Sequence, residues 1–541
     1  MKRVFKKIWA AAAITLLAMP LAANNITVSN VAISARDDAN KFIEVTFDLT
    51  WENSFRTTGL SPNNWDAAWV FMKFKKTGAA TAFNHCKLDA VANHELPDAT
   101  NYEFVQPADS MGVFVQRKTP GSGTVSLTGC KLRWKYSSAT TFDPTNPIDV
   151  KVFALEMVYV PTGAFKVGSG GTESSSFTAG PWTSGATTPF TISSESSLSI
   201  NNTAGALWAT GSQGTAGVLP AEYPKGYNGF YCMKYELTQQ AYVDFLNCLS
   251  RRQQNWRINL RYYNYYTDGI SYGHIWNTEP TIFNGSTWYY DYRFVMNYSQ
   301  ASRSYRNGIR CKRTFENRPD PITFACDVTG GVADDYSTSN QIDDGQQLAC
   351  NYLNTDHSWA YLDWAGLRPM SELEYEKACR GTANPVANEY VWGTANYIAL
   401  TGVSNSGKVD EVAVNPDANC VVSAHNAAAR VGMFANPATS RSESGATFWG
   451  ILDMAGNVFE PVMSVGVDNN RFFSGAVHGD GILTLTGDNN VAGWQVACGY
   501  RGGGHANSIS SGRTSDRGSA TWNADKGNYY YLGCRGVRTA P

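Results

Sequence analysis

Between residues 43 and 51 the chain alternates strictly. Ile43, Val45, Phe47, Leu49 and Trp51 are separated by Glu44, Thr46, Asp48 and Thr50. A period of two predicts a strand with one face buried and one wet. Residues 26–28, 69–74, 112–115 and 150–153 repeat the habit between turn-rich spacers. Residues 24–155 therefore read as an all-β domain, sandwich-like in architecture. Its expected role is packing or spacing, with binding or attachment as the alternative.

Farther along, the signals change from alternation to helix caps. Thr238 is a good N-cap for a helix running to about Leu249. Ser371 and Glu374 have the spacing of a capping box, and Gly381 stands where a left-handed C-cap would close that helix. Short strands and long loops fill the remainder, so residues 156–541 read as a loop-rich α+β domain. Residues 169–220, rich in Ser, Thr and Gly, read as long surface loops. Residues 251–310 mix aromatic and polar side chains, among them Trp256, Tyr262, Tyr263, Tyr265, Tyr266, Trp276, Trp288, Tyr289, Tyr290 and Tyr292. This insertion is expected to pack on its own domain; exposed, its rings would suit a sugar face or a partner protein.

Composition narrows the class. The chain has 541 residues, too many for one ordinary core, and its 43% hydrophobic and 17% charged content is globular. Lys2, Arg3, Lys6 and Lys7 precede an apolar run from residue 8 to 21 and a small-residue site at Ala22-Ala23. That pattern predicts a signal peptide over residues 1–23 and export to the periplasm, the cell surface or the medium. No later segment reads as membrane-spanning. Removing the signal moves the formal charge from −2 to −6, which gives no reason to expect a nucleic-acid partner. Of eleven Cys, Cys86 and Cys130 alone lie in the N-terminal region and are the candidate disulfide. No CxxC occurs, which disfavours structural zinc.

The most informative stretch is Gly450-Ile451-Leu452-Asp453-Met454-Ala455-Gly456-Asn457-Val458-Phe459-Glu460. Acids near both ends of a Gly bend offer a hard cation carboxylate and carbonyl oxygens together. The stretch resembles a signature of the sulfatase-modifying-factor family, whose founding members are the formylglycine-generating enzymes. Four more blocks are similar to that family, in its order. They open at Met157-Val158-Tyr159-Val160-Pro161, Phe230-Tyr231-Cys232-Met233-Lys234-Tyr235-Glu236 and Leu367-Arg368-Pro369-Met370-Ser371-Glu372; the last is Gly533-Cys534-Arg535 to Arg538. The resemblance covers about residues 156–541 and implies a C-type-lectin-like fold. It also implies a Ca²⁺ site from the side chains of Asp453 and Glu460 with the carbonyls of Gly456 and Val458. A second family calcium site would begin at Asn419 and Cys420, but no acidic ligand follows clearly before Gly432.

The family's enzymes oxidise a substrate Cys with copper and O₂, using two Cys just after an Arg-Gly-Gly segment. Soft thiolates suit Cu(I). Here the matching segment, Tyr500 to Arg513, contains no Cys: Asn507 falls near the first position and Gly512 near the second. The nearest thiols are Cys498 and Cys534. Copper is therefore not expected. The family's iron-dependent branch takes His ligands from a helical domain. The seven His here (His85, His94, His274, His357, His425, His478, His505) form no HxH or HxxH pair. No GxSxG, P-loop or dinucleotide fingerprint occurs. Glu374 is expected in the cap, with Arg368 and Arg380 paired locally.

The leading expectation is an exported pseudoenzyme whose domain binds a protein, peptide or glycan, or serves cell-surface structure. Its face would be built from Asn507, Ser508, Ser510, Arg513 and Arg517 with the aromatic insertion. The alternatives are a copper/O₂ oxidase with a relocated Cys pair, and a diversified ligand-binding receptor suggested by Trp522-Asn523 and Asn528-Tyr529-Tyr530-Tyr531.

Overall fold

The computed structural model describes residues 25–59, 62–136, 146–259, 282–283, 288–289, 294–296, 304–311, 320–329, 343–436, 438–494, 497–522 and 527–541, with residues 282–283 and 288–289 given as backbone only. The expected signal peptide, most of the aromatic insertion and Asn523 lie outside this set; of the rings named above for the insertion, only Trp256 has its side chain within it.

The alternating segment forms β2 (Phe42–Arg56), which pairs antiparallel with β1 (Thr27–Asp37) and β7 (Gly121–Lys135). Its five alternate apolar side chains are all fully buried. They pack against Ala68, Val70 and Met72 of β3 (Asp66–Lys76) and Val113 and Val115 of β6 (Val113–Arg117). Cys86 and Cys130, expected as a bonded pair, both stand in this core as free thiols.

β3 does not alternate, because both of its faces are covered. Ala67, Trp69 and Phe71 point the other way, into the largest core of the molecule. That second face is packed by the family-like region. β3 also belongs to a seven-stranded sheet. Its other members are β4 (Asn84–His85), β5 (Tyr102–Val105), β6, β8 (Ile148–Val160), β9 (Phe230–Met233) and the C-terminal Val537–Thr539. β8 runs through the 155/156 junction. It pairs with β3 along Ile148–Val158 and with β9 at Met157–Val160. One continuous sheet thus joins the two regions, and the predicted boundary falls inside a strand.

Side chains reinforce that seam. Lys234 Nζ reaches Asp66 Oδ2 at 3.1 Å and Glu156 Oε2 at 3.0 Å, all three buried. Trp69 Nε1 donates to the Ala365 carbonyl at 2.9 Å, and Asn64 Nδ2 to that of Trp449 at 2.7 Å.

Helix α1 (Gln239–Leu246) starts where Thr238 accepts from the Ala241 N–H, though it ends earlier than expected. Two helices escaped the sequence reading: α2 (Arg251–Trp256), capped by Ser250, and α3 (Thr355–Trp364), capped by Asn354. α4 (Glu372–Arg380) carries both halves of the predicted capping box. Residues 169–220 are not loops throughout: Phe177–Ala179, Leu198–Ile200, Leu207–Ala209 and Gly217–Leu219 form a four-stranded sheet. Strands of three residues are too short to show a period. Among the described residues no helix is long and apolar enough to cross a membrane.

Candidate functional site

The site region is organised by α4. Glu372 and Glu376 lie one turn apart on one face and are both fully buried. Arg501 Nη1 donates to Glu372 Oε1 at 3.0 Å, and Arg501 Nη2 to Glu376 Oε1 at 3.3 Å. Arg517 Nε reaches Glu372 Oε1 at 2.7 Å, while its Nη1 and Nη2 donate to the carbonyls of Ser175 and Ser212. Arg380 pairs with Glu376 and Glu389. Arg368 grips Glu374 through both terminal nitrogens, at 2.8 and 2.6 Å. This lattice holds the start of the C-terminal segment rigidly against α4.

Arg517 was expected on an exposed face, and the structure overturns that. It is completely buried, its charge spent on Glu372 and on backbone carbonyls. The others divide. Ser508 is exposed and accepts from the Ser510 N–H at the start of a short 3₁₀ turn. Ser510 and Asn507 are half-buried; the Asn507 N–H donates to Gly504 at 2.9 Å. Asn507 Oδ1 is buried without a partner. Arg513 is half-buried beside the Tyr390 ring, 5.8 Å from its centroid. Gly512 is closely packed: a Cβ there would lie 3.3 Å from both Ala455 Cβ and the Gly502 carbonyl.

The Gly456 bend lies beside this segment. Asp453 and Gly456 have φ of 59° and 86°. Asp453 Oδ2 accepts from the Gly432 N–H at 2.6 Å. Glu460 Oε1 accepts from Arg535 Nε at 2.6 Å, and Glu460 Oε2 is buried without a partner. Glu236 was not singled out from the sequence. It completes an acidic group by accepting from the Val458 N–H at 3.0 Å and from Asn457 Nδ2 at 2.6 Å. Burial pushes all three carboxyls above the usual range, and Asp453 adds repulsion to both Glu236 and Glu460. Arg535 opposes them, its own proton held more firmly by Glu460. A charged residue inside an apolar motif, Glu236 or Arg535, was the sequence signal for this group. Among the described residues, no three His, Cys, Asp or Glu side chains converge closely enough to hold a metal by themselves. Asn419 has its amide committed at both ends, donating to Ser442 and accepting from Ile398 at 2.9 Å each.

The thiols nearest the segment are enclosed. Cys498 Sγ lies 3.4 Å from Thr355 Oγ1, and Cys534 Sγ 3.9 Å from the Ser358 carbonyl. Both therefore touch α3, one turn apart. Burial pushes each up to about 12. His505 donates from Nε2 to the Tyr530 carbonyl at 2.9 Å, and burial lowers it to about 4.

No curated protein matches the chain significantly. Residues 145–540 match the sulfatase-modifying factor enzyme 1-like domain, and the chain belongs to that family.

Proposed function

We propose that this protein is a non-oxidising member of its family, an exported binding protein in which the C-terminal face has replaced thiol chemistry with ligand recognition. One observation carries the reading: the two positions that resemble the family's catalytic Cys hold Asn507 and Gly512. The packing around Gly512 supports it, since any side chain there meets Ala455 and the Gly502 backbone. Cys498 and Cys534 are the alternative copper ligands. They are fully buried and held protonated, whereas copper binding needs thiolates.

The same reading takes the family-like region as a C-type-lectin-like fold, residues 24–155 as a sandwich-like module joined to it through the shared sheet, and residues 1–23 as the export signal. Ca²⁺ belongs to it as a structural ion. Asp453 and Glu460 would hold it with the Gly456 and Val458 carbonyls, and the unpartnered Glu460 Oε2 supports that donor set. Bound there, the ion would neutralise clustered carboxylates and stiffen the bend.

The test is Cu(I) titration of the reduced mature protein, coupled to oxygen uptake with a Cys-containing peptide. No stoichiometric copper site and no uptake are expected. Tight copper binding with peptide-dependent uptake would sink the proposal and point to Cys498 and Cys534.

A further inference from the structure

Three aromatic rings gather where the C-terminal segment reaches the surface. Trp522 and Tyr529 have centroids 5.6 Å apart, Tyr529 and Tyr531 lie 5.6 Å apart and nearly parallel at 13°, and Tyr531 and Trp522 lie 6.1 Å apart at 27°. Tyr529 is 42% exposed, and Trp522 and Tyr531 are half-buried. The trio is braced from beneath. Trp522 packs on Tyr500 at 5.3 Å and on Phe459 at 6.3 Å, both buried. Tyr500 is in turn tied to Thr355 of α3 at 2.9 Å. The Tyr529 ring lies close over Gly527, where a Cβ would stand 2.3 Å from it. Trp522 anchors the stack from beneath, and Tyr529 is its exposed member.

Hydrogen-bonding groups beside them are left unfilled. Gly504 separates Tyr531 from Asn507: a Cβ there would lie 2.9 Å from the Tyr531 carbonyl and 3.4 Å from Asn507 Oδ1. Asn507 Oδ1 has no partner, and neither has Asn528 Oδ1, in the residue preceding Tyr529. Both are acceptors, and an acceptor left unpaired away from water is costly. A ligand that donates from hydroxyls would relieve that cost.

Trp522, Tyr529, Tyr531, Asn507 and Asn528 are all uncharged. Aromatic faces carry negative potential and attract weakly positive C–H groups. Flat C–H faces, hydroxyl donors and no net charge describe a pyranose. We infer that Trp522, Tyr529 and Tyr531 form a stacking platform for a neutral saccharide, with Asn507 as the acceptor beside it. This rests on the non-oxidising binding reading above and names its ligand class.

The test is electrophoresis of the mature protein through gels containing a neutral β-glucan, xylan or galactomannan, with polygalacturonate as the charged comparison. At least one neutral polysaccharide should retard the protein. Tyr529→Ala and Trp522→Ala should each weaken that retardation at least tenfold, and Asn507→Ala severalfold. Tyr529 is 42% exposed and at the edge of the fold, so Tyr529→Ala should keep a cooperative melt well above the assay temperature, which separates lost binding from lost folding. No retardation by any neutral polymer, equal retardation of the variants, or retardation by polygalacturonate alone would overturn the assignment. Capture on a peptide array that Tyr529→Ala abolishes, without retardation, would overturn it in favour of a protein partner. Copper-dependent oxygen uptake would overturn the reading beneath it. No uptake and no retardation would remove only the saccharide.

Discussion

Glu372→Gln is the sharpest test of how the C-terminal segment is held. Five donors converge on this one carboxylate: Arg501 Nη1 at 3.0 Å, Arg517 Nε at 2.7 Å and Nη2 at 3.1 Å, Ser464 Oγ at 3.1 Å and the Val465 N–H at 3.1 Å. The two guanidiniums more than offset the burial of this carboxyl, and its affinity for a proton falls below the usual range. Glutamine keeps the shape but turns one oxygen into a donor aimed at other donors. It also leaves Arg501 and Arg517 short of one buried negative charge. Breaking one side of a buried ion pair costs about 3–5 kcal/mol, against a total stability of roughly 5–15 kcal/mol. Urea unfolding followed by tryptophan fluorescence reads this as a lower midpoint at unchanged slope. Glu443→Gln, at an exposed loop position, should leave the midpoint nearly where it was. Glu372→Gln combined with Arg517→Gln should cost much less than the two single changes added together. A Glu372→Gln loss below about 1 kcal/mol, or simple additivity, would refute the reasoning.

Three further outcomes are expected. Lys73 is fully buried, its Nζ unpaired and 5.0 Å from the Trp364 ring centroid, and burial lowers it to about 7. Its charge opposes folding most below that value, so Lys73→Met should stabilise by on the order of 2 kcal/mol at pH 6. The gain should shrink as pH rises toward the ordinary lysine value; a gain that grows with pH would contradict this. His505, lowered to about 4, contributes stability above its unfolded value near 6.5 that is lost as pH falls toward 4. That loss is on the order of 3 kcal/mol, and His505→Gln should flatten the acid limb of a melting-temperature profile. Gly381 has φ of 63°, and a Cβ there would sit 2.2 Å from Phe448 Cδ1. Gly381→Ala should therefore lower the unfolding free energy by at least about 1 kcal/mol, read as a lower urea midpoint, and an unchanged midpoint would show that Phe448 can move aside.

Legibility followed how local the physics was. The β2 alternation, the Thr238 cap and the Ser371–Glu374 capping box all appear in the structure, because each is settled by neighbours within a few residues. α3 was missed because Thr355 to Trp364 is buried all round, and a helix without a wet face shows no amphipathic period. Arg517 was misplaced for a related reason. A polar run after a Gly-rich turn looks like surface, but Glu372 lies 145 residues away in sequence.

By itself, the sequence determined the family, the local caps and strands, and the lack of Cys at the positions resembling the catalytic pair. Those are properties of residue identity and short-range spacing. Tertiary structure alone decided which charges are buried together, that a side chain at Gly512 would crowd Ala455 and the Gly502 backbone, that β8 fuses the two regions into one sheet, and that rings from residues 522 and 529–531 meet. Such features depend on segments brought side by side by burial, and no local pattern encodes the partner.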